Sequence, residues 1–201
     1  MTGLLRLARG IDALNERVGR GVMWLVLAAV MISAGNAVVR KAFDRSSNAW
    51  LEIQGVLFAA VFLLAAGYTL LHQAHVKVDV LLGRFSRRTQ ARVECLGLLF
   101  FLFPFAAVVI DLSLPLVLRA WVSGEVSSNA GGLIRWPAYA LLPAGFALLA
   151  LQGLSELIKR LAFLSGRGPD PGAQGAEGRP VEAQVGALQT PPKAAAGEVA
   201  P

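Results

Sequence analysis

From residue 53 to residue 71 the chain reads IQGVLFAAVFLLAAGYTLL, and Gln54 is its one side chain that strongly favours water. About 20 apolar residues at 1.5 Å of rise each match a hydrocarbon layer of roughly 30 Å. A helix in a soluble core would be shorter or would carry a polar stripe, and this run does neither. Trp50 and Tyr68 stand near its ends, where amphipathic rings favour the headgroup layer. Glu52 bounds it on one side and the polar run HQAHVKVD on the other. The run predicts a membrane span over about 51–71.

Three further runs repeat the pattern. Residues 22–39, VMWLVLAAVMISAGNAVV, form an apolar stretch longer than the core of a cleaved signal peptide, and the charged preamble before it contains acids. It reads as a retained helix. In it Ala29, Ser33 and Ala37 recur every four residues, a seam of small side chains that admits a close neighbour. Residues 96–118 are apolar apart from Pro104, Asp111, Ser113 and Pro115, and Ser86 is placed to cap the helix that leads into them. Trp136-Pro137 opens a fourth span over 137–157, proline suiting a first helical turn because no donor is needed there. With 55% hydrophobic and 16% charged residues among 201, the composition is that of a small multi-span membrane protein.

The ends differ in kind. Over residues 1–20, Leu4, Leu7, Ile11, Leu14 and Val18 recur at steps of three or four, with arginines and acids on the remaining faces. This predicts an amphipathic helix at the membrane interface. Residues 163–201, rich in Gly, Pro and Ala, carry no aromatic side chain beyond Phe163 and predict a disordered tail. The expected fold class is therefore an all-α membrane protein: four transmembrane helices within 21–162, preceded by an interfacial amphipathic helix.

Basic residues set the orientation. Arg6, Arg9, Arg17, Arg20, Lys77, Arg84, Arg87, Arg88, Arg92, Lys159, Arg160 and Arg167 fall on one side, against Arg40, Lys41, Arg45, Arg119 and Arg135 on the other. The positive-inside bias places both termini and the middle loop in the cytoplasm. It also explains the formal charge of +6 without a nucleic-acid partner, since the arginines flank apolar runs and do not cover one face. The membrane lipids are the partner that this distribution implies.

Few residues invite chemistry. His72 and His75 stand three apart, but a zinc site needs further ligands and a two-histidine haem needs them on facing helices near mid-membrane. Cys95 is the only cysteine, so neither an intrachain disulfide nor a thiolate cluster can form. No Ser–His–acid set and no phosphate-binding glycine loop is visible. Catalytic, metal and cofactor residues are accordingly expected to be none. Asp111, a carboxylate well inside an apolar run, is a candidate for ion coupling, for pairing with Arg40, Lys41 or Arg119, or for contact with another subunit. Glu52, Arg119, Glu125, Arg135, Gln152 and Glu156 are candidates for partner contact or for bonds between helices. Gln152 and Glu156, four apart, share one helix face.

In order along the chain, Trp50-Leu-Glu52-Ile-Gln54, a smooth span, His75-Val-Lys77-Val-Asp79, Gly124-Glu125-Val-Ser127, Trp136-Pro137, Pro143-Ala-Gly145-Phe146 and Leu151-Gln152-Gly153-Leu-Ser-Glu156 form a recognisable series. Over about residues 10–162 it resembles the small membrane subunit of TRAP (tripartite ATP-independent periplasmic) transporters, the DctQ type. The resemblance implies a scaffold in a bacterial inner membrane, paired with a large permease subunit that carries the sodium and substrate sites and moves elevator-fashion. It further implies a periplasmic solute-binding protein that delivers the substrate, commonly an organic acid; the branch it most resembles is labelled, through its binding protein, for mannitol or chloroaromatic compounds and 2-oxo acids. Two rival classes stay open at this point: a membrane-anchor subunit of an oxidoreductase that uses His72 and His75, and an independent small transporter gated by Asp111.

Overall fold

The computed structural model describes residues 2–43, 48–72, 85–129, 132–166 and 168. The expected tail over 163–201, the motif residues His75 and Asp79, and most of the middle loop fall largely outside them. Four long helices carry the chain: α1 (Thr2–Phe43), α2 (Asn48–Leu71), α3 (Arg87–Ser123) and α4 (Trp136–Leu164). Each is long and apolar enough to cross a membrane. All four expected spans lie within them.

Helix α1 joins two segments that the sequence divides at residue 20. No proline interrupts it, and a mid-helix glycine such as Gly21 costs only about 1 kcal/mol relative to alanine. Its 42 residues form one unbroken rod whose face of Ala8, Ile11, Asn15, Gly19 and Val22 is buried. That face packs on α2 and α4. The apolar periodicity of residues 1–20 therefore serves the bundle as well as any interface. By contrast Met23, Trp24, Val30, Met31 and Val38 in the second half of α1 are exposed, and of the small-residue seam Ala29 and Ser33 are half-buried while Ala37 is exposed.

Helix α4 is the hub. It packs on α1, α2 and α3, whereas the main neighbour of α3 is α4 alone. Close approach decides where these contacts form. A Cβ on Gly145 would lie 2.7 Å from the backbone oxygen of Leu63, so α2 and α4 cross there only because the side chain is a hydrogen.

Helix α3 begins as expected, with Ser86 Oγ accepting from the Thr89 backbone N–H at 3.3 Å. It then passes through a π-helical turn, Leu98–Leu102, just before Pro104. Proline donates no hydrogen bond and its ring crowds the carbonyl four residues back, and the wider turn accommodates both. The helix ends at Gly124 in the left-handed conformation. The loop that follows is tied shut: Val126 pairs with Ile134 in an antiparallel bridge, Ser127 N–H donates to Leu133 at 2.8 Å, and Arg135 N–H donates to Glu125 at 3.0 Å. Trp121 and Trp136 meet edge to face, 4.6 Å between ring centres, and fix the mouth of this loop.

Candidate functional site

The polar groups of the bundle gather at two levels. The larger cluster lies at the end formed by the start of α1, the end of α2, the start of α3 and the end of α4. Along α4, Gln152, Ser155, Glu156, Lys159 and Arg160 recur at steps of three and four, so they form one stripe on an otherwise apolar helix. Asp12 and Asn15 present the matching stripe on α1.

These residues bond to one another across the helix contacts. Asp12 accepts from Gln152 Nε2 at 2.9 Å, from Ser155 Oγ at 2.7 Å and from Lys159 Nζ at 2.8 Å. Asn15 Nδ2 donates to Gln152 Oε1 at 2.9 Å and to the Ile11 carbonyl at 3.3 Å. Ser155 Oγ also reaches the Ala8 carbonyl, at 3.2 Å. At the edge of the same stripe nearest α3, Arg160 pairs with Glu156 and donates through Nε to Glu94 of α3 at 2.6 Å. Lys159 closes the set with a second bond to Glu156 at 2.9 Å. Asn15, Gln152 and Ser155 are wholly buried, and Glu156 and Arg160 nearly so. Buried polar groups are tolerated only when they are bonded, and here almost all are. The exception is Asn15 Oδ1, which has no partner. It points at Gly67 of α2, where any Cβ would collide with it. Beside this cluster, His72 Nε2 meets Glu16 at 2.7 Å and Arg20 meets the same carboxylate at 2.9 Å. The hydrogen bond to His72 holds the Glu16 carboxyl below its ordinary value.

The smaller cluster lies at the opposite end. Arg135 reaches Glu125 at 3.3 Å and the Tyr139 hydroxyl at 3.0 Å. That Tyr139 bond, with Glu125 and Glu52 nearby, raises the Arg135 guanidinium further above its already high value. Glu52 Oε2 is shielded from solvent with no hydrogen-bond partner.

The expected site residues thus fall into three groups. Gln152 and Glu156 are joined inside the bundle, Gln152 to α1 and Glu156 to its own helix neighbours. Glu52, Glu125 and Arg135 lie together at the loop end, Trp136 and Pro137 open α4 there, and Gly145 marks the α2–α4 crossing. Asp111 and Arg119 are exposed on α3 and Trp50 is exposed on α2; Asp111 has no ion pair among the described residues. His72 is engaged by Glu16, and no cluster of three or more His, Cys, Asp or Glu able to hold a metal occurs among the described residues. Asp12, Asn15, Glu94, Ser155, Lys159 and Arg160 were not expected as partners. The signal for Asn15 was present, since it lies four residues after Ile11 on the apolar face of α1.

Against this geometry, the family model for the DctQ component of tripartite ATP-independent periplasmic transporters matches residues 29–163. The chain belongs to the DctQ family. The match spans the last third of α1, all of α2 and α3, and α4 up to its final residue, so this DctQ chain is a component of a TRAP transporter. No curated protein and no solved structure matches it significantly. The part of α1 that supplies Asp12 and Asn15 lies before the matched region, while their partners on α4 lie within it.

Proposed function

We propose that this DctQ subunit is a fixed brace in a sodium-coupled, binding-protein-dependent importer of an organic acid. Sodium and substrate bind on the large permease subunit, and this chain widens the membrane footprint against which the transport domain moves. The single observation that carries the reading is the use made of its buried and half-buried polar groups. Asp12, Asn15, Gln152, Ser155, Glu156 and Arg160 are bonded to one another, and outward positions such as Phe58, Phe62, Phe101 and Leu112 are apolar. A carrier needs polar groups left free for its cargo, whereas a brace needs them to tie its helices together.

In this reading the end with the larger cluster faces the cytoplasm, and the Glu125–Arg135 loop faces the periplasm beside the binding protein. The test is uptake by cells or proteoliposomes that carry the large subunit and the binding protein, with and without this chain. Loss of uptake without it, together with co-purification of the large subunit in mild detergent, is the expected result. Uptake at normal rates without it would overturn the proposal.

A further inference from the structure

The larger cluster has an electrostatic consequence at the surface. Four acids lie at that end of the described bundle, and all are engaged internally: Asp12 by Lys159, Glu16 by His72 and Arg20, Glu94 by Arg160, and Glu156 by Lys159 and Arg160. Arg6, Arg9 and Arg17 on α1 and Arg88 and Arg92 on α3 are exposed and have no carboxylate partner among the described residues. In sequence the acids dilute these arginines, but in the fold they do not. Arg6 and Arg17 are 11 residues apart, close to three full turns, so they share one face of α1 about 16 Å apart. Leu7 and Leu14 are exposed on the flank of that face, and Leu96 and Val93 are exposed beside Arg92. Arginines alternating with bare leucines suit the boundary between phosphate headgroups and acyl chains, where the side-chain stems lie in hydrocarbon and the guanidinium groups reach phosphate.

We propose that this end of the bundle binds anionic phospholipid headgroups through Arg6, Arg9, Arg17, Arg88 and Arg92. Among the described residues, the internal neutralisation of the acids is what gives this surface its single sign. Charge complementarity selects the occupant, since a phosphodiester accepts from guanidinium groups at a surface where no free carboxylate among the described residues repels it. The inference does not depend on the transport role or on which way the chain faces.

The test uses the full chain in neutral detergent micelles, offered equimolar phosphatidylglycerol and phosphatidylcholine, with bound lipid quantified after washing. Retention of phosphatidylglycerol over phosphatidylcholine by roughly tenfold, falling as salt rises, is expected. Replacing the five arginines by glutamine should abolish the preference, and replacing them by lysine should keep most of it. Arg40→Gln with Lys41→Gln, at the other end of α1, should leave it intact. If the glutamine variant does not fold, the lysine variant and the salt series decide the matter on their own. Equal retention of both lipids by the native chain overturns the proposal, as does a preference that survives the glutamine variant or is indifferent to salt. Equal lipid retention combined with loss of the large permease subunit from the glutamine variant would mark the surface as a protein interface instead.

Discussion

Asn15 and Gln152, 137 residues apart in sequence, share a buried hydrogen bond of 2.9 Å that ties the first helix to the last. The same Gln152 amide donates to Asp12, so one side chain serves two residues of α1. The geometry leaves Asn15 Oδ1 against Gly67 without a donor. The contact is therefore dense and has little tolerance for change.

Gln152→Leu removes both bonds and leaves the buried Asn15 amide only its longer bond to the Ile11 carbonyl. A loss of about 1–3 kcal/mol is expected, toward the lower figure if the unfolded helices find other partners in lipid. Thermal unfolding of the purified chain in micelles measures it, and an unchanged midpoint would deny the bond its structural role.

Arg160→Met should be more severe. It takes from the buried Glu156 and the half-buried Glu94 the cation they share, with Lys159 still on Glu156, so the loss should approach the roughly 3–5 kcal/mol of a broken buried pair. The triple variant Glu94→Leu, Glu156→Met, Arg160→Met removes both carboxylates as well, and Lys159 keeps Asp12, so it should recover most of the loss in the same assay.

Two glycines offer a matched comparison. Gly145→Ala drives a Cβ to 2.7 Å from the Leu63 carbonyl oxygen and should destabilise the bundle by about 1–3 kcal/mol, whereas Gly55→Ala meets nothing within 4 Å and should stay within ~1 kcal/mol of the native chain. Equal effects would show that α2 and α4 do not cross where described.

Acid should weaken the contact between α1 and the end of α2. The hydrogen bond from His72 depresses the Glu16 carboxyl in the folded chain relative to its ordinary value of 4.5. A depressed folded value means the contribution is present above the unfolded value and is lost as pH falls through the folded one. The stability difference between the native chain and Glu16→Gln should hold at neutral pH and vanish on acidification below 4.5. A difference that grew in acid would reverse the sign of this argument.

At the loop end, reversing charge at Arg119, Glu125 and Arg135 together should weaken docking of the solute-binding protein. Stability should change by no more than about 1 kcal/mol, because the Glu125–Arg135 pair is exposed. Binding measured on the assembled transporter, beside a melting curve of the same variant, separates the two effects. Undiminished docking would leave these residues as solvated loop charges.

Much of the fold is legible because a membrane span is written in its length and polarity, and 22–39, 51–71, 96–118 and 137–157 need no tertiary information. The Ser86 cap and the proline at the start of α4 are local signals of the same kind. The cluster was harder to read because its pairings are long-range. Lys159 and Arg160 look in sequence like orientation charges, and only folding brings Asp12 and Glu94 to them. Asp12 and Asn15 sit in a segment whose charge suggests an interface helix, and nothing local says that α4 continues far enough past its span to meet them. The π-helical turn before Pro104 was invisible for another reason, since proline signals a disturbance in a helix without specifying its form.

The hub position of α4 bears on how the bundle is made. Helices enter the bilayer in chain order, and α3 has its main neighbour in a helix that follows it. Until α4 arrives, Asp12 lacks Lys159, Glu94 lacks Arg160, and α3 lies largely alone in lipid. A chain built in that order would be held only at its first pair, α1 with α2, until α4 supplied Lys159, Arg160 and the main contact of α3.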